Sequence, residues 1–599
     1  MKRIIVLLLA VLLVLSFAVS CKSSPEASPS TDQSQSQVPA HPTTGTTRIK
    51  IFATSDIHGY IMDASSMNPD TFQYRMAHLS YLVNQAREEY DGVLLLNGGN
   101  NYEGTTVSNL LEGAPMRAAM DLMEYDGTAM GNHEFDWDNI KNRINADAEG
   151  TIGTYTVGSI TGDSDVPVLA SNLYYKETGK RVEFTKDYVI EYKNGYKVAL
   201  IGWIEDFSAR VMTSRIEDYE IDTDTDKLNA LIDSVHETEK PDVTIIVSFS
   251  GASSLASKVD AEKVDLIIGG HSGSMAGTTE DGIVYLQGSS YIAGYAEAVL
   301  VIDNETGEKS FEEGSVTTTS IVASGPGADN SKLFSTSEQL DPVIKELSDE
   351  AWSVVEEKLS VELGYVTTGI NAKSKVTGDS NASVAGNWIT GLMLRWAQGT
   401  EDYSDTVVAF YNNGGIRSSI SIPEGETQAT VTASNVYSIN PFSNYWYIYE
   451  ATASEIAQQI MLGFKSGDFG NEMSGITYTY TYHTETSSGG GGGKGGGSST
   501  KTVVDSIDSI TIVNPDGTTR AMDLSDETTT YKVCISNYSA TLSNKNGTSV
   551  FADKTPLNEV DAPIDNETLV KQLLKEAGAG KEIEVDTTAR GTGTLKSEE

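Results

Sequence analysis

Between residues 48 and 340 short β-rich runs alternate with polar, helix-compatible stretches, and this alternation limits the chain to an α/β arrangement with buried strands. The predicted strands are Arg48–Thr54, Gly92–Leu96, Lys197–Trp203, Val243–Ser248 and Val264–Ile268. Polar clusters follow several of them, and the carboxyl ends of strands are where open α/β sheets place their ligands.

Asp56 and His58 follow the first run, and Asn100 follows the second. His271 follows Val264–Ile268 through Gly269 and Gly270, while Gly131-Asn132-His133-Glu134-Phe135-Asp136 makes a fourth cluster. Each has an ordinary reading when taken alone. Asp-x-His is short enough to recur by chance, Asn132 suits a helix cap, and His271 suits a glycine turn. Three of the seven histidines nevertheless fall in such turns, which makes coincidence the poorer account.

Taken together, Ser55-Asp56-Ile57-His58-Gly59, Gly131 to Asp136 and Asp265 to His271 resemble the metallophosphoesterase domain of the 5'-nucleotidase family. The second half resembles that family's carboxyl-terminal domain through Asn412-Asn413-Gly414-Gly415-Ile416-Arg417, Pro441-Phe442-Ser443-Asn444 and Ser474-Gly475-Ile476-Thr477-Tyr478. The resemblance implies an N-terminal metallophosphoesterase-type α/β sandwich, a linker helix and a C-terminal α/β nucleotide-binding domain. It also implies two divalent metal ions sharing a bridging carboxylate, which activate a hydroxide for attack on phosphorus. Carboxylate, imidazole and amide groups suit such ions. By the same resemblance Asp56 and His58 match ligands of one metal, Asn132 and His271 ligands of the other, and Asn100 the bridging position. His133 and Asp136 match the catalytic pair. Asn412 and Arg417 match residues that engage the nucleotide, and Phe442 and Tyr538 the rings that sandwich its base.

Departures from the family pattern gather on the chemistry. The bridging aspartate is Asn100, a histidine ligand is Phe249, and the His or Gln two residues after His271 is Gly273. Gly378-Asp379-Ser380-Asn381 stands where the family has Arg-Glu-x-Asn, which removes a phosphate-facing arginine, and Asn546 takes an acidic position. The metal-ligand changes weigh against occupancy of a two-metal centre. Glu103 or another carboxylate would have to stand in.

Outside the two halves the sequence reads as export machinery. Lys2 and Arg3 precede an apolar run to Val19, and Ala18 and Ser20 are small residues before Cys21. This predicts a signal peptide over 1–20 and a lipid on Cys21. Residues 21–47, rich in Ser, Pro, Thr and Gln, then form a disordered tether to a bacterial membrane. The further expectations are a metallophosphoesterase-like domain over 48–340, a linker helix over 341–363 and a second domain over 364–599 carrying a Gly-rich loop at 489–497. Asp341 to Leu359 has Ile344, Leu347, Ala351, Val355 and Leu359 near helical spacing, with Pro342 in its first turn. The other cysteine, Cys534, lies in a strand-like run and is expected in the core. A formal charge of -42 repels polyanions, so no polynucleotide partner is expected and any anionic substrate needs local cations.

Two functions from different classes follow from the resemblance and its departures. One is an exported phosphohydrolase of extracellular nucleotides, impaired by lost metal ligands. The other is a catalytically inactive surface lipoprotein that binds a nucleoside, a nucleotide or a protein.

Overall fold

The computed structural model describes residues 40–64, 68–136, 156–211, 213–271, 273–372, 374–487 and 499–596. The signal peptide, Cys21, most of the tether and the Gly-rich segment lie outside the described residues.

Two sheets build the first half. In one, Thr46–Thr54 runs parallel to Gly92–Asn97, followed by Gly127–Ala129 and Val168–Leu169, while Gly294–Asp303 pairs antiparallel on its other side. In the other, Tyr196–Ile204, Val243–Phe249, Leu266–Ile268 and Val284–Gln287 are parallel neighbours, edged by antiparallel Tyr188–Lys193 and Met275–Thr278. Every residue of Val243–Phe249 is buried, as a strand covered on both faces requires. The period of two divides the work: Val198, Leu200, Ile245, Val247, Leu266 and Ile268 join the large core with the first sheet. Ala199, Ile201, Trp203, Ile246 and Ile267 instead pack with Leu228, Ile232 and Val235 of the helix Thr225–Thr238. The observed strands differ from the expected ones by a residue or two at their ends. The strand expected from Val264 begins at Leu266; Asp265 before it still bonds to both neighbours, its N donating to Thr244 O and its O accepting from Val284 N, while its carboxylate accepts from Thr244 N and pairs with Lys309.

The helix Pro342–Leu359 connects the halves, with Asp341 accepting from Val343 N at 2.8 Å and Pro342 in the first turn. Ile344, Ala351, Val355 and Leu359 are buried as the spacing predicted, Leu347 is partly so, and Trp352 joins them against Phe72. Its start is tied to the first half, where Asp341 accepts from Ser80 and Asn84. Its end meets the second half, where Lys358 lies over the Tyr437 ring and pairs with Glu567.

In the second half a four-stranded sheet has the order Trp446–Thr452, Thr530–Ser536, Thr406–Tyr411, Glu472–Ser474. Cys534 lies within it, fully buried. The strands Ile476–Ser487 and Ser499–Val513 form a long antiparallel ribbon whose outer part is polar. Glu362–Val366 pairs with Ala429–Thr432 and so runs across the boundary expected at 363/364. Among the described residues no helix is long and apolar enough to cross a membrane.

Candidate functional site

The four turns singled out from the sequence converge at the carboxyl ends of the strands Thr46–Thr54, Gly92–Asn97, Gly127–Ala129 and Leu266–Ile268. Backbone bonds knit the first two together: Asp56 N donates to Gly99 O at 2.9 Å and His58 N to Asn100 O at 3.0 Å. The two sheets meet so closely here that a Cβ on Gly98 would lie 2.2 Å from the Gly269 carbonyl oxygen. Asp56, His58, Asn100 and His271 all hold positive φ, between 50° and 70°. Left-handed backbone costs of order 1–3 kcal/mol per non-glycine residue and persists where the surroundings over-determine it, a feature that gathers at functional sites.

Asn100 sits at the centre. His133 N donates to its Oδ1 at 3.0 Å, which fixes the orientation of the amide, because an N–H must face an oxygen. Its Nδ2 therefore donates to Asp56 Oδ1 at 3.0 Å and lies 3.4 Å from Asn132 Oδ1. The second oxygen of Asp56 accepts from His271 N at 2.9 Å. Asn132 precedes a short helical turn, His133–Phe135, without a side-chain cap bond.

Sequence reasoning did not single out Glu134. Its buried carboxylate accepts from Asn101 N and Gly131 N, both at 2.7 Å, and from Asn100 N at 3.2 Å, so it clamps two turns together. Burial raises its pKa against the opposing pull of these bonds. Only its place in the Gly131 to Asp136 cluster hinted at a role.

His133 contacts Asp136 through Nδ1. The same nitrogen lies 3.3 Å from Glu103 Oε2, and His58 Nδ1 lies 3.5 Å from that oxygen, with the imidazole rings edge-on at 4.8 Å. Burial opposes protonation of His133, but Asp136 and then Glu103 outweigh it and raise the imidazole to about 9. Glu103 is 1% exposed. Burial would push its pKa up, yet the two imidazoles reverse the effect and hold it below the ordinary value.

At the remaining departures, Phe249 ends its strand fully buried, with its ring against His271 at 5.2 Å and Phe207 at 5.7 Å. Gly273, at φ 87°, has open space around it. Burial lowers the pKa of His271, with Arg210 adding to the effect.

The second half supplies the opposite wall. A cavity of about 270 Å³ is lined by Asn132, His133, Asp136 and His271 from one side and Asn412, Arg417, Phe442 and Tyr538 from the other. Asn412 follows the strand Thr406–Tyr411, and Tyr538 lies in the turn of helix after Thr530–Ser536. Phe442 lies nearly parallel to the His133 ring at 6.0 Å, and the Arg417 guanidinium stands 5.0 Å from its centre. Arg210 and Arg215 also line this cavity, although nothing in the sequence marked them. The side chains of Asp56 and Asn100 accept from His271 N and His133 N, two residues of this lining. Asp379 is elsewhere engaged, accepting from Asn381 N, Arg590 N and Gly591 N.

Comparison with known proteins agrees with this architecture. Residues 49–275 match the calcineurin-like phosphoesterase model and residues 360–553 the 5'-nucleotidase C-terminal domain model. Protein UshA of Yersinia enterocolitica is 28% identical over 242 residues, which is 37% of this chain and 40% of that protein. The 5'-nucleotidase of Vibrio cholerae is 24% identical over 474 residues, 72% of this chain and 79% of the relative. In fold the chain is similar to the 5'-nucleotidase precursor from Thermus thermophilus, with a TM-score of 0.62 at 16% identity over 92% of this chain and 100% of that one. With both domain models matched in this order, the chain belongs to the two-domain 5'-nucleotidase family.

Proposed function

We propose that this protein binds a nucleotide or nucleoside in the cavity between its halves, and that two-metal phosphomonoester hydrolysis is impaired in it. The family implies divalent metals, so the residues present have to be tested against them. The observation that carries the reading is the Asn100 amide, whose hydrogens point at Asp56 Oδ1 and Asn132 Oδ1, the oxygens a cation would need. Phe249 places a buried ring where a ligand nitrogen is expected, and Gly273 offers no donor. Two dications about 3.7 Å apart repel by roughly 18 kcal/mol at an effective dielectric near 20. Asp56 is the one carboxylate among the residues matched to metal ligands, and it is committed to Asn100 Nδ2 and His271 N. The two-cation arrangement does not fit these residues.

Binding is supported by the cavity itself. Arg210, Arg215 and Arg417 line it beside the carboxylates Asp136 and Asp468, with Arg210 paired to Glu205, and so supply the local cations that a phosphate needs in a chain with formal charge -42; Asn412 adds a buried amide. Phe442 and Tyr538 are half-buried rings that suit a base. The leader sequence before Cys21 supports placing this activity outside the cytoplasm, on a lipid anchor. Metal analysis of the purified protein beside phosphate release from a nucleotide panel tests the reading. It expects fewer than two ions per chain and release far slower than the roughly 1 to 1000 per second usual for enzymes. Two tightly held ions with turnover in that range would overturn it.

A further inference from the structure

We propose that His58, Glu103 and His133 form a site for one borderline divalent cation, of which Zn²⁺ is the type. It replaces the arrangement centred on Asn100 and rests on the reading that the two-metal centre is lost. The three side chains offer ligand atoms that all lie within 4.8 Å of one another. Around a tetrahedral ion with bonds of about 2.0–2.1 Å, ligand atoms stand about 3.3 Å apart. Glu103 Oε2 is already 3.3 Å from His133 Nδ1 and 3.5 Å from His58 Nδ1. The two imidazoles have to approach each other, and His133 Nδ1 has to exchange its contact with Asp136 for the ion.

Glu103 supplies the independent observation. Its carboxylate is almost wholly buried, and neither oxygen accepts a hydrogen bond. The two imidazoles at 3.3 and 3.5 Å are its close partners, so the buried carboxylate depends on positive charge carried on those rings or held between them. The neighbouring charges specify how much. Asp56 approaches His58 Nε2 at 4.0 Å and Asp136 contacts His133, so three carboxylates address two imidazoles, with Arg417 lining the cavity that His58 and Glu103 also line. One dication with neutral imidazoles brings that local sum to zero, as would two protons. His58 Nδ1 also lies 3.1 Å from the Glu103 carbonyl oxygen, so a metal entering there displaces a proton from that nitrogen.

The donor set selects the ion. Two imidazoles and one carboxylate are the ligands of catalytic zinc sites that keep the fourth position open, whereas Mg²⁺ and Ca²⁺ prefer oxygen. His58 and Glu103 line a cavity of about 230 Å³ and His133 lines the cavity of about 270 Å³, so solvent or an anion can reach the fourth position.

Titration of Zn²⁺ into the purified, chelator-treated protein, followed by calorimetry, should show one ion per chain. Glu103→Gln, which keeps the shape of the side chain, should weaken binding at least about a hundredfold, with its unfolding midpoint measured beside it. X-ray absorption of the zinc-loaded wild-type protein, which needs no variant, should show two imidazoles. No zinc bound would mean that protons hold the cluster, and would overturn this inference while leaving the impaired-hydrolase reading intact. Unchanged affinity in Glu103→Gln, or any imidazole count other than two, would also overturn it. Two ions per chain would overturn both.

Discussion

Replacing Asn100 by aspartate, the residue the family resemblance leads one to expect there, should destabilise the metal-free protein in a pH-dependent way. The amide nitrogen donates to Asp56 Oδ1 at 3.0 Å. In Asn100→Asp that contact becomes two carboxylate oxygens at the same separation, a repulsion of about 5.5 kcal/mol at an effective dielectric near 20. A cheaper route exists, because the new carboxyl can take a proton and donate as the amide did. Holding an aspartic acid with a reference pKa near 3.9 neutral costs about 4.2 kcal/mol at pH 7 and about 1.5 kcal/mol at pH 5. Urea unfolding in chelator at both pH values should therefore show a loss of about 4 kcal/mol at pH 7 that shrinks to about 1.5 kcal/mol at pH 5. Manganese or zinc should restore stability to the variant by binding between the two carboxylates. A loss below about 1 kcal/mol at pH 7, or one indifferent to pH, would refute the assignment of the amide as the donor that holds Asp56.

Phe442→Ala should weaken adenosine binding about tenfold, the effect of one stacking contact near 1.4 kcal/mol, and unchanged affinity would mark the ring as packing for His133 and Arg417 alone. Burial raises the Asp565 carboxyl to about 7, against hydrogen bonds from Asn440, Asn566 N and Tyr411 that lower it. Its folded pKa thus exceeds its unfolded one, so its contribution is present at low pH and lost as pH rises from about 4 toward 7, by roughly 4 kcal/mol in all. Denaturation at pH 4.5 and 7.5 should show that decline removed in Asp565→Asn. Fatty-acid labelling should fail for Cys21→Ser, and equal labelling of both forms would remove the lipid anchor.

What the sequence determined by itself is local in origin. Strand periodicity, the Asp341-Pro342 start of the connecting helix and the placing of Asp56, Asn100, Asn132 and His271 after strand ends all follow from neighbours in the chain. The family resemblance added the order of domains, and also showed which positions had changed. Only the structure shows what those positions touch, because the contacts join distant segments of the chain. Glu134 holds turns 33 and 34 positions away through backbone N–H groups, which leave no mark on residue type. Glu103 reads as one acidic residue in a glycine-bounded turn until packing sets it between His58 and His133. Arg210 and Arg215 look like ordinary surface cations until folding sets them around one cavity with Asn412 and Arg417. The orientation of the Asn100 amide required the position of the His133 N–H, and the proposed mismatch with a two-metal centre rests on that bond.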